Sequence, residues 1–351
     1  VNANAEIEIA ELCEAGRDSW RAFVDAHPHS TLFHDLRWLD AVEEAYRFRN
    51  VSLVALNCGR VCGVLPLTLA ESPLLGRSLV STAFAVGGGV LVEDEAAADA
   101  LAREALALGR RLGVNYVELR GGPAPGAPYQ AKSGVYAAFE RMLPRDPGAL
   151  LEWIPRRRRA EVRKALKLQE EGETSAGTVD DVRDLYRLYA EAMRAFGTPV
   201  MPRRFLESLK RRFGDSAEVS AVERRGVAVA ALLSFWRRDR VMPYYVGAAR
   251  EAREIRAYDL LYYRLMQRAV ERGVAIFDFG RSRAGSSQYD AKTYWGFEAA
   301  PLTYHVGLVR AKAPPNVNPD NPKFKRLVSI WRRLPPPVAN ALGPVIARNF
   351  P

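Results

Sequence analysis

The densest chemistry in this 351-residue sequence is positive charge at helical spacing. The run "RRRRAEVRKALK", residues 156–167, carries seven basic residues and one acidic one. Arg156, Arg159, Arg163 and Lys167 recur at i, i+3/i+4, which stacks them on one helix face as a cationic stripe. Such a stripe suits a phosphate-bearing partner, because unbalanced repulsion is tolerated best beside an anion. A second cluster, "GAAREAREIRAYD" (247–259), sets Arg250, Arg253 and Arg256 ahead of a helical pattern. A third, "FDFGRSR" (277–283), places Asp278 and Arg281 three apart on a strand, hence on opposite faces unless the strand ends at Gly280. With a loop from Gly280 onward, Arg281 or Arg283 would hold a phosphate. Tyr244 and Tyr245 alternate, so one of them faces a site. Asp94 is an acid/base candidate at the acidic start of a helix.

The elements that must position these residues are written twice. In the first half, "VSLVALNCGRVCGVLPLTL" (51–69) reads as a hairpin and "RSLVSTAFAVGGGVLV" (77–92) as further strand. "EDEAAADALAREALALGRRLGV" (93–114) is a helix stopped by Gly113, and "NYVELRGG" (115–122) is a closing strand. The second half repeats the order: hairpin 217–236, strand 241–249, helix 257–273 stopped by Gly273, strand 275–282. Each half opens with two helices, at 19–28 and 36–47 and again at 179–197 and 202–214. The repeat predicts two tandem α/β domains with mixed sheets, 1–150 and 151–312, divided near Pro144–Pro155, followed by a tail at 313–351.

Composition narrows the class. Fifty-one basic against forty-one acidic residues give +10, and 48% hydrophobic residues supply a substantial core. The N-terminal "VNANAEIEIAEL" has neither the basic nor the apolar region of a signal peptide, and no window reaches the length that crosses a bilayer. Cys13, Cys58 and Cys62 lack metal-site spacing and read as small buried hydrophobes in a reducing compartment. These features predict a cytoplasmic protein. The tail "FKRLVSIWRRLPPPVANALGPVIARNF" mixes basic, aromatic and apolar residues. It is expected either to dock as a helix or to lie on the inner face of the membrane.

Four segments then resemble one family. They are "RRRRAEVRKALKLQEEG", "YRLYAEAMRAFGTPVMPRRFL", "PYYVGAAREAREIRAYDLLYYRLMQRAVERG" and "FDFGRSRAGSSQYDAKTYWGFE". Together they resemble the Fem aminoacyltransferases, tandem domains of the GNAT acyltransferase type. The nearest branch is the FemAB-like proteins associated with exosortase (PEP-CTERM) and exopolysaccharide systems. The likeness runs from about Thr31 into the tail. It departs from the cell-wall ligases where "WLDAVEEAY" lacks a lysine after Trp38 and "AVGGGVLVED" lacks an Arg-Gly-Pro.

The resemblance implies a cleft in which an acyl or aminoacyl donor meets an amine on an envelope or exopolysaccharide precursor. Lys292, in "YDAKTYWGF", matches the family's lysine and would stabilise the tetrahedral oxyanion. Tyr289, Asp290 and Trp295 belong to the same element, Trp295-Gly296 fixing its turn, while Tyr258 would hydrogen-bond substrate. Asp278 and Asp94 are the candidate proton acceptors. GNAT enzymes also hold coenzyme A pyrophosphate on glycine-lined amides at a helix start. Here the loop has Gly247 but no glycine before the helix, and arginines instead, Arg256 last. No cofactor is expected to bind tightly; aminoacyl-tRNA or an acyl-coenzyme A is the co-substrate. The expected partner is an anionic donor or acceptor, a tRNA or a phosphate-bearing precursor, and not double-stranded DNA. Two alternatives stand beside this reading: an ordinary acyl-coenzyme A-dependent transferase, and a non-catalytic component of an exopolysaccharide machine.

Overall fold

The computed structural model describes residues 7–73, 75–314 and 322–351. In chain order the first elements are β1 (Glu8–Glu11), α1 (Arg17–Ala26), α2 (Leu36–Tyr46), β2 (Arg49–Asn50), β3 (Leu53–Asn57) and β4 (Arg60–Leu65). They are followed by β5 (Thr68–Ser72), β6 (Gly76–Val80), β7 (Leu91–Val92), α3 (Glu95–Leu112) and β8 (Tyr116–Arg120). Next come β9 (Gln130–Met142), α4 (Leu150–Trp153), α5 (Arg156–Glu170), β10 (Thr174–Val179), α6 (Arg183–Phe196) and α7 (Arg203–Phe213). The last are β11 (Ala217–Arg224), β12 (Val227–Arg237), β13 (Arg240–Ala248), α8 (Ala257–Glu271), β14 (Ile276–Arg283), α9 (Ser287–Tyr294), β15 (Ala299–Leu308), α10 (Pro322–Arg333) and α11 (Pro336–Ala347).

Two compact units result. The first holds the described parts of Val1–Gly134, Leu302–Asn318 and Val345–Pro351; the second holds Val135–Pro301 and the described part of Pro319–Pro344. The second unit starts ahead of Pro144–Pro155 because β9 pairs with β14, Tyr136 opposite Arg283 through Met142 opposite Ile276. Residues from 302 return to the first unit because β15 pairs with β8, Tyr304 opposite Arg120 through Leu308 opposite Tyr116.

In the first unit the run read as one hairpin is bent to serve two sheets. β3 and β4 pair in a sheet of order β1-β3-β4-β7, whereas β2 and β5 pair in one that runs β15-β8-β6-β5-β2. Pro66 stands at the bend, where it offers no N–H to either ladder. α3 joins the parallel strands β6 and β8. It packs Leu101, Ala105 and Leu108 into one core with Leu69, Leu79 and Val117.

The second unit is one mixed sheet, β10-β11-β12-β13-β14-β9. α8 is the crossover between the parallel strands β13 and β14, and its Leu260, Leu261, Leu265, Met266 and Ala269 share a core with Leu232, Val241, Phe277 and Phe279. α6 lies so close to β13 that a Cβ at Gly247 would fall 2.2 Å from the Tyr189 nitrogen. Gly247 is therefore a packing residue within the strand rather than part of an anion loop. The tail docks here in part: Arg194 donates to the Arg332 and Leu334 carbonyls (3.1 and 3.3 Å), and Trp331, Ala339 and Gly343 are buried. No helix among the described residues is long and apolar enough to cross a membrane. Cys62 is buried, but Cys13 and Cys58 are exposed. Cys58 occupies the β3–β4 turn at φ 48°, which a buried hydrophobe would not do.

Candidate functional site

The parallel pair β13–β14 holds together for two residue pairs only, Arg240 with Ile276 and Val241 with Phe277. Each strand is irregular just past that point. In β13 the pairing with β12 moves from Met242 and Pro243 to Tyr245, leaving Tyr244 as an extra residue. In β14 the register against β9 slips between Asp278 and Arg281, with Gly280 at φ 64°. Bulges bend strands and re-aim side chains, and they recur beside active sites.

The β14 bulge overturns one expectation. Asp278 lies opposite Glu140 and Arg281 opposite Ala138, two positions apart on a regular strand. Asp278 and Arg281 therefore share a face, instead of pointing apart as three-residue spacing predicts, because the bulge absorbs one residue. Arg283, opposite Tyr136, joins them, and the Arg281 guanidinium lies 4.5 Å from the Tyr136 ring centre. Asp278 is committed to the bulge itself. One carboxylate oxygen accepts the Gly280 N–H (2.7 Å), and the other accepts from Arg240 (3.2 Å), which also grips Glu140 (2.5 Å). Burial raises the Asp278 pKa, while the Gly280 N–H and Arg240 oppose that rise.

Lys292 sits on α9, whose Ser286 caps the helix start by accepting the Tyr289 N–H. Its Nζ donates to the carbonyls of Phe279 (2.7 Å) and Arg281 (2.9 Å), the residues bracketing Gly280. Ala284 N–H donates to Val135 O, so strand alternation turns the Arg281 carbonyl away from β9, toward the side that β13 has left. The ammonium thus occupies the open edge of β14, 5.3 Å from the Phe139 ring centre. Burial lowers its pKa to about 7, against the pull of the Asp278 carboxylate and with a further fall from Arg281. An ammonium has three N–H donors and two are used here, so one remains for an oxygen of substrate.

Around it, Tyr289 packs edge-on to Phe139 at 5.1 Å, whereas Asp290 is exposed. Trp295 is buried beside Tyr262 and Phe279. Gly296 makes the turn at φ 82°, where a Cβ would meet Pro155 at 2.7 Å. Tyr245 is buried against Tyr189 and Phe205, Tyr244 is half-buried, and Tyr258 stacks on Tyr262 with its pKa raised by burial.

The start of α8 does not form a glycine-lined cradle. Arg256 takes the left-handed conformation at the cap (φ 56°), a place that normally favours glycine. Its side chain is bound to Glu161 and the Arg253 carbonyl. Asp259, in the first turn, is buried and bonded to Arg158 (2.8 Å), so a carboxylate of the chain already meets the helix dipole.

The stripe on α5 is more compensated than its composition suggests. Arg159 is tied to Glu152 and the Ile154 carbonyl, Arg163 reaches Glu152 at 3.3 Å, and Lys167 reaches Glu171 at 3.7 Å. Sequence reasoning missed Glu152 because it precedes the helix, and missed Arg158, whose guanidinium is spent on Asp259 and the Trp295 ring. Arg156 is exposed. In the first unit Asp94 is the cap of α3, accepting the Ala97 N–H at 2.8 Å.

Residues 156–291 match the family model described as an acetyltransferase (GNAT) domain, a family that implies an acyl-coenzyme A co-substrate with no tightly held cofactor. No curated protein sequence matches the chain. Among solved structures, FemX is similar at TM-score 0.66 and 15% identity, over 86% of this chain and 98% of FemX. A tandem GNAT protein from the clavulanic acid biosynthesis pathway is similar at TM-score 0.55 and 14% identity, over 89% and 100%. A conserved protein of unknown function from Bacteroides thetaiotaomicron VPI-5482 is similar at 0.56 and 12%, over 87% and 100%. At these identities the likeness speaks for the fold alone. The chain is a mixed α/β protein whose fold is that of two tandem GNAT-like units, the second of which carries the GNAT domain match.

Proposed function

We propose that the protein is an N-acyltransferase of the Fem-like kind, working at the open edge of β14. The observation that carries this reading is the parallel pair that parts after two residues, with the Lys292 ammonium on the freed edge. An acyl carbonyl placed there would direct its oxygen to the remaining Lys292 N–H. The acceptor amine attacks the carbonyl carbon, and negative charge builds on that oxygen, where the ammonium form of Lys292 stabilises it. The tetrahedral species collapses by breaking the bond to the leaving oxygen or sulfur, which takes the proton shed by the amine. In molecules where Lys292 is protonated its charge is in place before the reaction, so no reorganisation is needed when the oxyanion forms.

The donor is an aminoacyl or acyl group on a carrier other than one gripped by its pyrophosphate. Support for this comes from α8, where Arg256 occupies the cap in place of a glycine and Asp259 already places a carboxylate in the first turn. An aminoacyl-tRNA satisfies that condition, and its phosphates suit the exposed cations of α5. The acceptor in this reading is an amine of a cell-envelope or exopolysaccharide precursor, met at the inner face of the membrane. Ordinary acyl-coenzyme A dependence is the second reading, favoured by the GNAT domain match. Calorimetry with acetyl-coenzyme A and with aminoacyl-tRNA separates them. Charged tRNA is expected to bind and acetyl-coenzyme A to give no heat; micromolar binding of the latter would overturn the argument from Arg256.

A further inference from the structure

The described residues expose nine large hydrophobic side chains, and they are not scattered. Five lie on the last two helices: Leu327 and Ile330 on α10, Val338 and Leu342 on α11, and Val345 at 63% exposure. A sixth, Phe196, ends α6, where its carbonyl accepts from Arg332 (3.3 Å). Val338, Leu342 and Val345 recur at i, i+4 and i+7, one stripe of α11, while its inward stripe is Ala339 and Gly343. α11 is thus docked on one side and apolar on another. Isolated exposed hydrophobes need no explanation, but a contiguous stripe does.

Charge indicates what covers it. From residue 321 to 351 the sequence has six basic residues and no acidic one, and Arg332 and Arg333 stand exposed at the end of α10. α11 itself carries no charge. An aliphatic stripe free of charge, flanked by cations, is the composition of a helix lying in a lipid interface. Protein-binding patches draw instead on Trp, Tyr and Arg anchors, with Leu and Val under-represented among the energetic residues. Here the one tryptophan, Trp331, is turned inward. We infer that α10 and α11 form an interfacial surface that seats on anionic lipid, with Leu327, Ile330, Val338 and Leu342 entering the acyl boundary and Arg332 and Arg333 meeting the headgroups. This inference does not rest on the transferase reading.

The test is flotation of the full chain with vesicles of phosphatidylglycerol and phosphatidylcholine, and with phosphatidylcholine alone. Binding is expected to the mixed vesicles only, and to fall with salt as headgroup attraction is screened. Leu327→Ser with Ile330→Ser, and separately Val338→Ser with Leu342→Ser, should each weaken it by about tenfold or more. Because these side chains are already in water, melting temperatures should stay put. Arg333→Gln should lower binding to the mixed vesicles and flatten its salt dependence. Wild-type chain that stays with the soluble fraction would overturn the inference, as would serine variants that float undiminished. A concentration-dependent dimer that the serine substitutions abolish, without lipid binding, would also overturn it and assign the stripe to self-association.

Discussion

Lys292→Met separates holding the strand from helping the reaction. In the structure Nζ donates at 2.7 and 2.9 Å to the two carbonyls that flank Gly280 in the β14 bulge. A hydrogen bond from a charged group contributes roughly 1.5–3 kcal/mol, and an acceptor left bare in a partly buried place costs about 1–3 kcal/mol. With the Lys292 pKa at about 7, half the molecules carry a neutral amine at neutral pH, which places the expected loss toward the lower end, on the order of 2–3 kcal/mol. For a unit of this size that corresponds to a fall of about 5–10 °C in Tm. Loss of oxyanion stabilisation is a separate effect of about 10²–10³ in turnover. The assay is single-turnover product formation at a temperature where a melt shows both proteins fully folded, with the exposed Lys312→Met as control. Lys292→Arg should recover part of the stability but little of the rate, since a planar guanidinium does not reproduce a compact ammonium. A folded Lys292→Met protein with wild-type turnover would refute the catalytic assignment and leave Lys292 as a clasp on the bulge.

Three further outcomes follow from the same geometry. A Lys whose folded pKa is depressed binds fewer protons folded than unfolded between that value and the ordinary one. Stability should therefore rise as pH climbs through about 7 toward the normal lysine range, and Lys292→Met should flatten that slope in pH-dependent urea titrations. Gly247→Ala should cost about 1–3 kcal/mol in urea unfolding, because the added methyl meets the α6 backbone, which cannot rotate out of the way. Arg159→Ala should lower the melting temperature clearly through loss of its ties to Glu152 and Ile154, whereas Arg156→Gln should leave it unchanged.

What could be read in the sequence was whatever depends on local period. The α8 helix, with Gly273 ending it, and the strand containing Asp278 stand where alternation and punctuation put them. The duplicated order led to two tandem units because each helix crosses between strands that are parallel. Non-local pairing escaped. β9, thirteen residues long, lies in a stretch with little apolar alternation, since only Ala137 and Phe139 face inward. The bend at Pro66 was visible as a proline but not as a change of sheet. At the site, the residue types around Lys292 were evident while their aim was not. The bulge at Gly280 reverses the face of everything after it, and the partner of Arg159 lies on a different helix.

That bulge has a consequence for how the site tolerates change. The Phe279 and Arg281 carbonyls meet at Lys292 because a count of one residue, Gly280, stands between them, and not because of side-chain identities. Point substitutions at Ser282 or Ala284 leave the count alone, so the two carbonyls stay aimed as they are. Deleting Gly280 would let β14 pair regularly with β9, Phe279 opposite Phe139 and Arg281 still opposite Ala138, so the arginines would keep their face. The Phe279 and Arg281 carbonyls, now on adjacent residues, would point opposite ways and could not both meet Lys292. Variation by length is forbidden at this point of the chain, while variation by type is open on either side of it. A natural relative lacking that one residue would keep the sheet and the aim of its arginines, and lose half of the seat that holds Lys292.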